Sequence, residues 1–105
     1  MKRLPDRVVC GIVHEVFLAT PEEVPELKDG DDLNAGCCRP WDGKIFVRVG
    51  ASPAAIESTI DHEVVHCIIY HSGLCHVLRD IMKIKNYETV EETIVQHIVL
   101  HKDSL

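Results

Sequence analysis

Between Ser52 and Gly73 the sequence carries the signals for both ends of one long helix, and this segment, "SPAAIESTIDHEVVHCIIYHSG", constrains the fold more than any other. Ser52 is placed to cap exposed backbone N–H groups, and Pro53 stands in the first turn, where its missing donor costs little. The helix is predicted from about Pro53 to about His71, with Gly73 as its stop. A chain of 105 residues has room for one hydrophobic core, so a single domain spanning residues 1–105 is expected around this helix.

The flanking segments carry different signals. Residues 7–19, "RVVCGIVHEVFLA", are dense in β-branched and aromatic residues and predict a strand. Residues 20–34 hold Pro21, Pro25, Gly30 and a run of acidic side chains, which predicts a solvated loop with a short helical turn at "PEEVPEL". In "GCCRPWDGKIFVRVG", Asp42-Gly43 is a tight-turn signal, and Ile45, Val47 and Val49 alternate with Lys44, Phe46 and Arg48. That pattern predicts a β-hairpin. After Gly73, Leu74, Val77, Leu78, Ile81 and Met82 recur at helical spacing and predict a second helix, broken at Asn86 to Glu88. Val90, Ile94, Val95, Ile98 and Val99 predict a last helix from about Thr89 to His101. Strands first and helices after give an α+β fold: a small sheet or hairpin, then the central helix, then a C-terminal helix.

Composition excludes several classes. No apolar run approaches the roughly 18 to 20 residues needed to cross a bilayer, and Pro5, Asp6 and Arg7 interrupt the basic N-terminus before any signal-peptide pattern develops. Cys10, Cys37, Cys38, Cys67 and Cys75 are odd in number, which suits reduced thiols in a cytoplasmic protein better than a closed disulfide framework. The formal net charge of −6 disfavours direct binding to nucleic acid, because that binding draws on displacing counterions with Lys and Arg.

Inside the central helix stands "HEVVH". Residues four apart lie one above the other on a helix, so His62 and His66 can aim imidazole nitrogens at one point. Glu63 lies one step round from His62, close enough to receive a proton from a metal-bound water without being a ligand. Two zinc ligands and a general base on one turn are the chemical logic of H-E-x-x-H. An ordinary amphipathic helix is the competing reading, with Ile60, Val64, Val65, Ile68 and Ile69 to bury it. A catalytic zinc usually takes three protein ligands and keeps its fourth position for water, so a further ligand is required, and the last helix, "TVEETIVQHIVLH", is its best source.

With "HEVVH" in a capped helix, a hairpin before it and "EETIVQHIV" after it, the chain resembles the gluzincin-like branch of the zincin metallopeptidases, in particular the small ImmA/IrrE-like domains and related minimal peptidases of bacteria and phages. The resemblance covers roughly residues 36–99, including Gly36 and Thr59, and is specific at His62, Glu63 and His66. It implies a zinc-dependent peptidase in which a glutamate of the later helix completes the metal site. In that family the glutamate is commonly followed four residues on by a polar Asp or Asn. Glu92 has Gln96 there and Glu91 has Val95, so Glu92 is the expected ligand and Glu91 the alternative. The resemblance also implies a peptide or protein substrate lying along a strand edge, expected around Lys44 to Val49.

The remaining candidates have plainer readings. His71 is five residues beyond His66 and suits a helix C-terminus, where a cation meets the dipole. His14, His76, His97 and His101 read as surface or core residues, with His97 and His101 sharing the helix of Glu92. The phenols of Tyr70 and Tyr87 have the chemistry to donate to a developing oxyanion. Adjacent Cys37 and Cys38 would face opposite sides of a strand, which argues against joint ligation. The rival functions are a non-catalytic, metal-stabilised module that binds another protein, and a helical interaction domain without metal.

Overall fold

The computed structural model describes residues 1–81, 83, 85 and 87–100. Its N-terminal apolar stretch doubles back at Cys10-Gly11. Both residues have positive φ, 53° and 77°, the backbone of a two-residue hairpin loop whose twist matches that of the strands. Strand β1 (Lys2–Val9) therefore pairs antiparallel with β2 (Ile12–Ala19), with Val9 opposite Ile12. The single strand predicted over residues 7–19 is thus the end of one strand, a turn and a second strand. Cys-Gly lacks the Asn or Asp that ordinarily marks this turn, and the apolar run continues straight through it. Pro5 falls in the register shift between Leu4 and Arg7, on an edge strand, where a residue without an N–H is tolerated.

Two short strands, β3 (Lys28–Asp29) and β4 (Asp32–Leu33), form a separate small ladder. The predicted hairpin is β5 (Gly36–Arg39) with β6 (Lys44–Arg48), paired antiparallel. Its loop is four residues long: a 3-10 turn over Pro40–Asp42, then Gly43 in the left-handed region at φ +62°. The main sheet has the order β1-β2-β6-β5, with β2 and β6 parallel.

Both faces of this sheet are covered. Ile45 and Val47 join Val9, Val16, Ile60 and Cys67 beneath helix α1 (Pro53–Ser72). Phe46 points the other way and packs with Ala19, Val24 and Leu27. Val24 and Leu27 are 1 % and 0 % exposed, so residues 20–34 are not simply a solvated loop. They carry a 3-10 turn at Pro25–Leu27, within the segment expected to turn, and they cap the second face of the sheet. Burying two such side chains contributes on the order of 1.5–3 kcal/mol each, which explains why an acidic segment stays folded against the core. The Arg39 guanidinium lies 4.9 Å from the Phe46 ring centroid and donates to Glu26 of that turn, tying cover to sheet.

The predicted helix ends hold. Ser52 Oγ accepts from the Ala55 N–H at 3.2 Å, and Gly73, at φ +80°, donates to the Tyr70 carbonyl. The second helix is only partly α-helical: α2 (Leu74–His76) runs into a π-helical turn, Val77–Ile81. Met82 and Asn86 lie outside the described residues. Helix α3 (Tyr87–Leu100) starts two residues before the expected Thr89, and His101 lies outside the described residues. Strands followed by helices make the fold α+β, as expected. Among the described residues no helix is long and apolar enough to cross a membrane.

Gly36 sets how closely β5 approaches α1. A Cβ there would lie 2.5 Å from Thr59 Cγ2, 3.0 Å from the Phe46 carbonyl oxygen and 3.3 Å from Glu63 Cγ. The carbonyl belongs to the sheet and has little freedom to retreat. Gly36→Ala is therefore expected to cost about 1–3 kcal/mol, as overpacking does, and a Thr59→Ser partner change should recover part of it. Equal urea midpoints for Gly36→Ala and the parent would contradict so tight an approach.

Candidate metal centre

His62 and His66 stand one turn apart on α1, with ring centroids 5.0 Å apart. Helix α3 packs across this turn and brings two carboxylates to it. Glu92 Oε1 is 2.7 Å from His62 Nε2, and Glu92 Oε2 is 2.9 Å from His66 Nε2. Glu91 Oε1 is 2.9 Å from His66 Nδ1. The two glutamates, adjacent in sequence, thus meet different nitrogens, and the choice between them is made by α3's rotation on α1.

Donor atoms of His62, His66 and Glu92 all lie within 4.8 Å of one another. Ligands held at about 2.0–2.1 Å around a tetrahedral zinc stand roughly 3.3 Å apart. Small outward movements of a half-exposed carboxylate would open the observed 2.7–2.9 Å contacts to that spacing. Two imidazoles and one carboxylate also match the donor set of a catalytic zinc with an open position. The residues present therefore fit the ion.

The surrounding groups hold these donors in place. Gln96 Nε2, one turn further along α3, donates to Glu92 Oε1 at 3.4 Å. Glu91 takes the second nitrogen of His66, which fixes the ring and leaves Nε2 facing Glu92. Burial alone would lower the pKa of His66. Its bond to Glu91 and the charges of Glu63, Glu92 and Glu91 outweigh that and hold it above the ordinary histidine value. A carboxylate on the far nitrogen of a metal-bound histidine typically contributes 10- to 100-fold in metal affinity. Glu91→Ala is accordingly expected to weaken zinc binding by that factor at unchanged stoichiometry, as read by competition with a chelator. An unaltered affinity would remove Glu91 from this role.

Glu63 is 6 % exposed and lines, with His62, His66 and Glu92, a cavity of about 560 Å³. It is not one of the three converging donors. Burial pushes its pKa above the usual glutamate value, although the charges of His66 and His62 pull the other way. A buried carboxylate beside converging donors, with its pKa raised above that of a surface glutamate, has the attributes of a general base.

The cysteines take the plainer role. Cys67 is buried and Cys38 packs against the same core cluster, whereas Cys37 faces the opposite cluster with Phe46. The Cys37 thiol is pushed up to about 12 by burial and by the charges of Glu26 and Glu63. That of Cys38 is raised by its hydrogen bond with Cys67 and by burial. Protonated thiols are poor metal ligands. Cys10, Cys37, Cys38 and Cys67 are all free, and the side chain of Cys75 lies outside the described residues.

His14 and His71 form a pair that the sequence did not reveal. His14 is fully buried and its Nδ1 donates to the Ile12 carbonyl at 2.9 Å. This leaves its Nε2 to accept from His71 Nε2, 3.1 Å away. His71 is therefore tied to β2 rather than serving only the helix dipole. His76 pairs with Asp80 on the surface, and His97 is exposed. Tyr70 stacks obliquely near Trp41 instead of lining the metal cavity, and the side chain of Tyr87 lies outside the described residues.

The strand edge lies elsewhere than expected. Segment Lys44–Arg48 is interior, flanked by β2 and β5, so the free edge beside the metal cavity belongs to β5. The Arg48 N–H donates to the Ala35 carbonyl, directly opposite in register. In an antiparallel ladder such bonded pairs alternate, so Cys37 also bonds inward while Gly36 and Cys38 turn their N–H and C=O groups outward. Asn34 to Cys38 form one wall of the cavity that holds the donors. Compared with protein-family models, curated proteins and solved structures, the chain has no match.

Proposed function

We propose that the protein is a zinc-dependent peptidase that hydrolyses a peptide bond with Glu63 as general base. The observation that carries this reading is the convergence of His62, His66 and Glu92 beside a buried glutamate that is not one of them. His62, His66 and Glu92 would hold the ion. When bound, zinc lowers the pKa of a water molecule toward about 7 and polarises a carbonyl. Glu63 accepts the proton of the attacking water on its carboxylate and passes it to the leaving amine nitrogen. Its position on the same helical turn as both histidines keeps it beside the reacting atoms. Glu91 and Gln96 keep His66 and Glu92 oriented through the reaction. The outward groups of Gly36 and Cys38 offer an extended peptide two residues' worth of backbone hydrogen bonds, a recognition mode that reads main chain first and side chains second.

The test is hydrolysis of a mixed peptide library by untagged, zinc-reconstituted protein, analysed by mass spectrometry before and after chelation. Cleavage that disappears with the metal and returns with zinc supports the reading. One zinc held per chain without cleavage of any peptide would replace the enzyme by the metal-stabilised binding module, and failure to hold zinc would remove both.

A further inference from the structure

Next to the metal centre lies a second cavity, of about 290 Å³, whose walls include Cys38, Pro40, Trp41, His66 and Tyr70, together with charged side chains of the π turn and α3. Cys38 and His66 line the metal cavity as well, so the two spaces adjoin across these residues. Trp41 is the only tryptophan of the chain and is 69 % exposed in the turn joining β5 to β6. Tyr70, one helical turn beyond His66, is 42 % exposed, and its ring centroid lies 6.2 Å from that of Trp41. Neither ring is buried in the core, so folding accounts for little of their placement. Two aromatic faces beside one cavity, next to convergent polar groups, form the type of wall that accepts an apolar ligand group.

The free edge of β5 leads directly into this cavity, since the chain passes from Gly36 and Cys38 through Arg39 to Pro40-Trp41. A peptide adding to that edge in the more stable antiparallel sense runs opposite to β5. Its N-terminal part then lies toward Trp41 and its C-terminal part toward Gly36. We infer that this cavity is a specificity subsite for a large apolar side chain, aromatic or long aliphatic, on the N-terminal side of the bond held at the metal centre. The inference rests on the peptidase reading for what the neighbouring site does, and it adds the class of peptide selected.

The test uses binding rather than turnover. Zinc-loaded, isotopically labelled Glu63→Gln protein is titrated with acetyl-Ala-Phe-Ala-Ala-amide, with acetyl-Ala-Ala-Ala-Phe-amide and with the all-alanine peptide. Because Trp41 is the sole tryptophan, one indole N–H resonance reports on the cavity, and amides of β5 report on the edge. The expected result is at least tenfold tighter binding of the first peptide than of the all-alanine one, with the indole resonance shifted. That advantage should fall below threefold in Trp41→Ala and in Tyr70→Ala, whose zinc content stays that of the parent. Equal affinity for all three peptides, an advantage that survives both substitutions, or a preference for phenylalanine on the C-terminal side overturns the subsite. The two readings fail separately. Loss of the peptidase reading shows as absent hydrolysis by the parent protein with the binding advantage intact, whereas loss of the subsite shows as hydrolysis indifferent to the apolar residue.

Discussion

Glu63→Gln is expected to lower peptide hydrolysis by roughly 10²- to 10⁴-fold, the usual contribution of a positioned acid–base group, while zinc stays at one ion per chain with affinity changed less than tenfold. The amide has nearly the shape of the carboxylate and fills the same buried place under Gly36, where Glu63 Cγ is one of the nearest atoms. It has no basic oxygen to take a proton. Because His62, His66 and Glu92 are the converging donors, the ion loses no ligand. The substitution also has a stability signature. The pKa of Glu63 is raised by burial, so its protonated form is favoured in the folded state. Its contribution to stability is present below the ordinary glutamate pKa and is lost as pH rises through the raised value. In the metal-free state Glu63→Gln should therefore melt above the parent at pH 8, and the difference should shrink toward pH 4. A variant that cleaves at the parent rate would remove Glu63 from the chemistry; equal melting temperatures at pH 8 would show that the buried carboxylate carries no such cost.

His66→Ala is expected to abolish zinc binding outright and with it the stabilisation that zinc confers. A ligand that binds only the folded state adds about 2.7 kcal/mol when present at 100 times its dissociation constant. For a domain of this size that amounts to a rise in melting temperature on the order of 10 °C. The parent should show that rise and His66→Ala should show none. Removing His66 takes away one donor and the partner of both carboxylates at once. Glu92→Ala should weaken binding further than Glu91→Ala, because Glu92 faces both Nε2 atoms whereas Glu91 faces only the far nitrogen of His66. The reverse order in calorimetric titrations would make Glu91 the ligand. An unchanged zinc-dependent rise in His66→Ala would mean that the ion is held somewhere else.

The cover over the second sheet face shows how a segment can be misjudged when only its own residues are considered. Residues 20–34 are acidic and proline-bearing, and by composition they belong in water. Yet Val24 and Leu27 are buried against Phe46, because β6 is an interior strand with apolar residues on both faces. The alternation of Ile45 and Val47 with Phe46 was visible in the sequence, but the need to cover Phe46 depended on neighbours far along the chain. The Cys10-Gly11 turn was missed for a different reason. Its positive φ values serve the pairing of β1 with β2, and an uninterrupted apolar run conceals them.

What the sequence determined by itself is what local physics decides. Ser52, Pro53 and Gly73 set the limits of α1 through orphan backbone groups within a turn of each end. The spacing of His62, Glu63 and His66 set one face of that helix through its 3.6-residue period; the preference for Glu92 over Glu91 came only from the resemblance, through Gln96 four residues on. The tertiary structure alone decided the rest. It made β5 and not β6 the open edge, since strand order depends on which distant segments pair. It divided Glu92 and Glu91 between the two nitrogens of His66, since a helix's rotation against its neighbour is set by packing across the whole contact. It joined His14 to His71 across 57 positions and placed Trp41 beside Tyr70, because such contacts exist only once β2, the β5–β6 turn and α1 share one core.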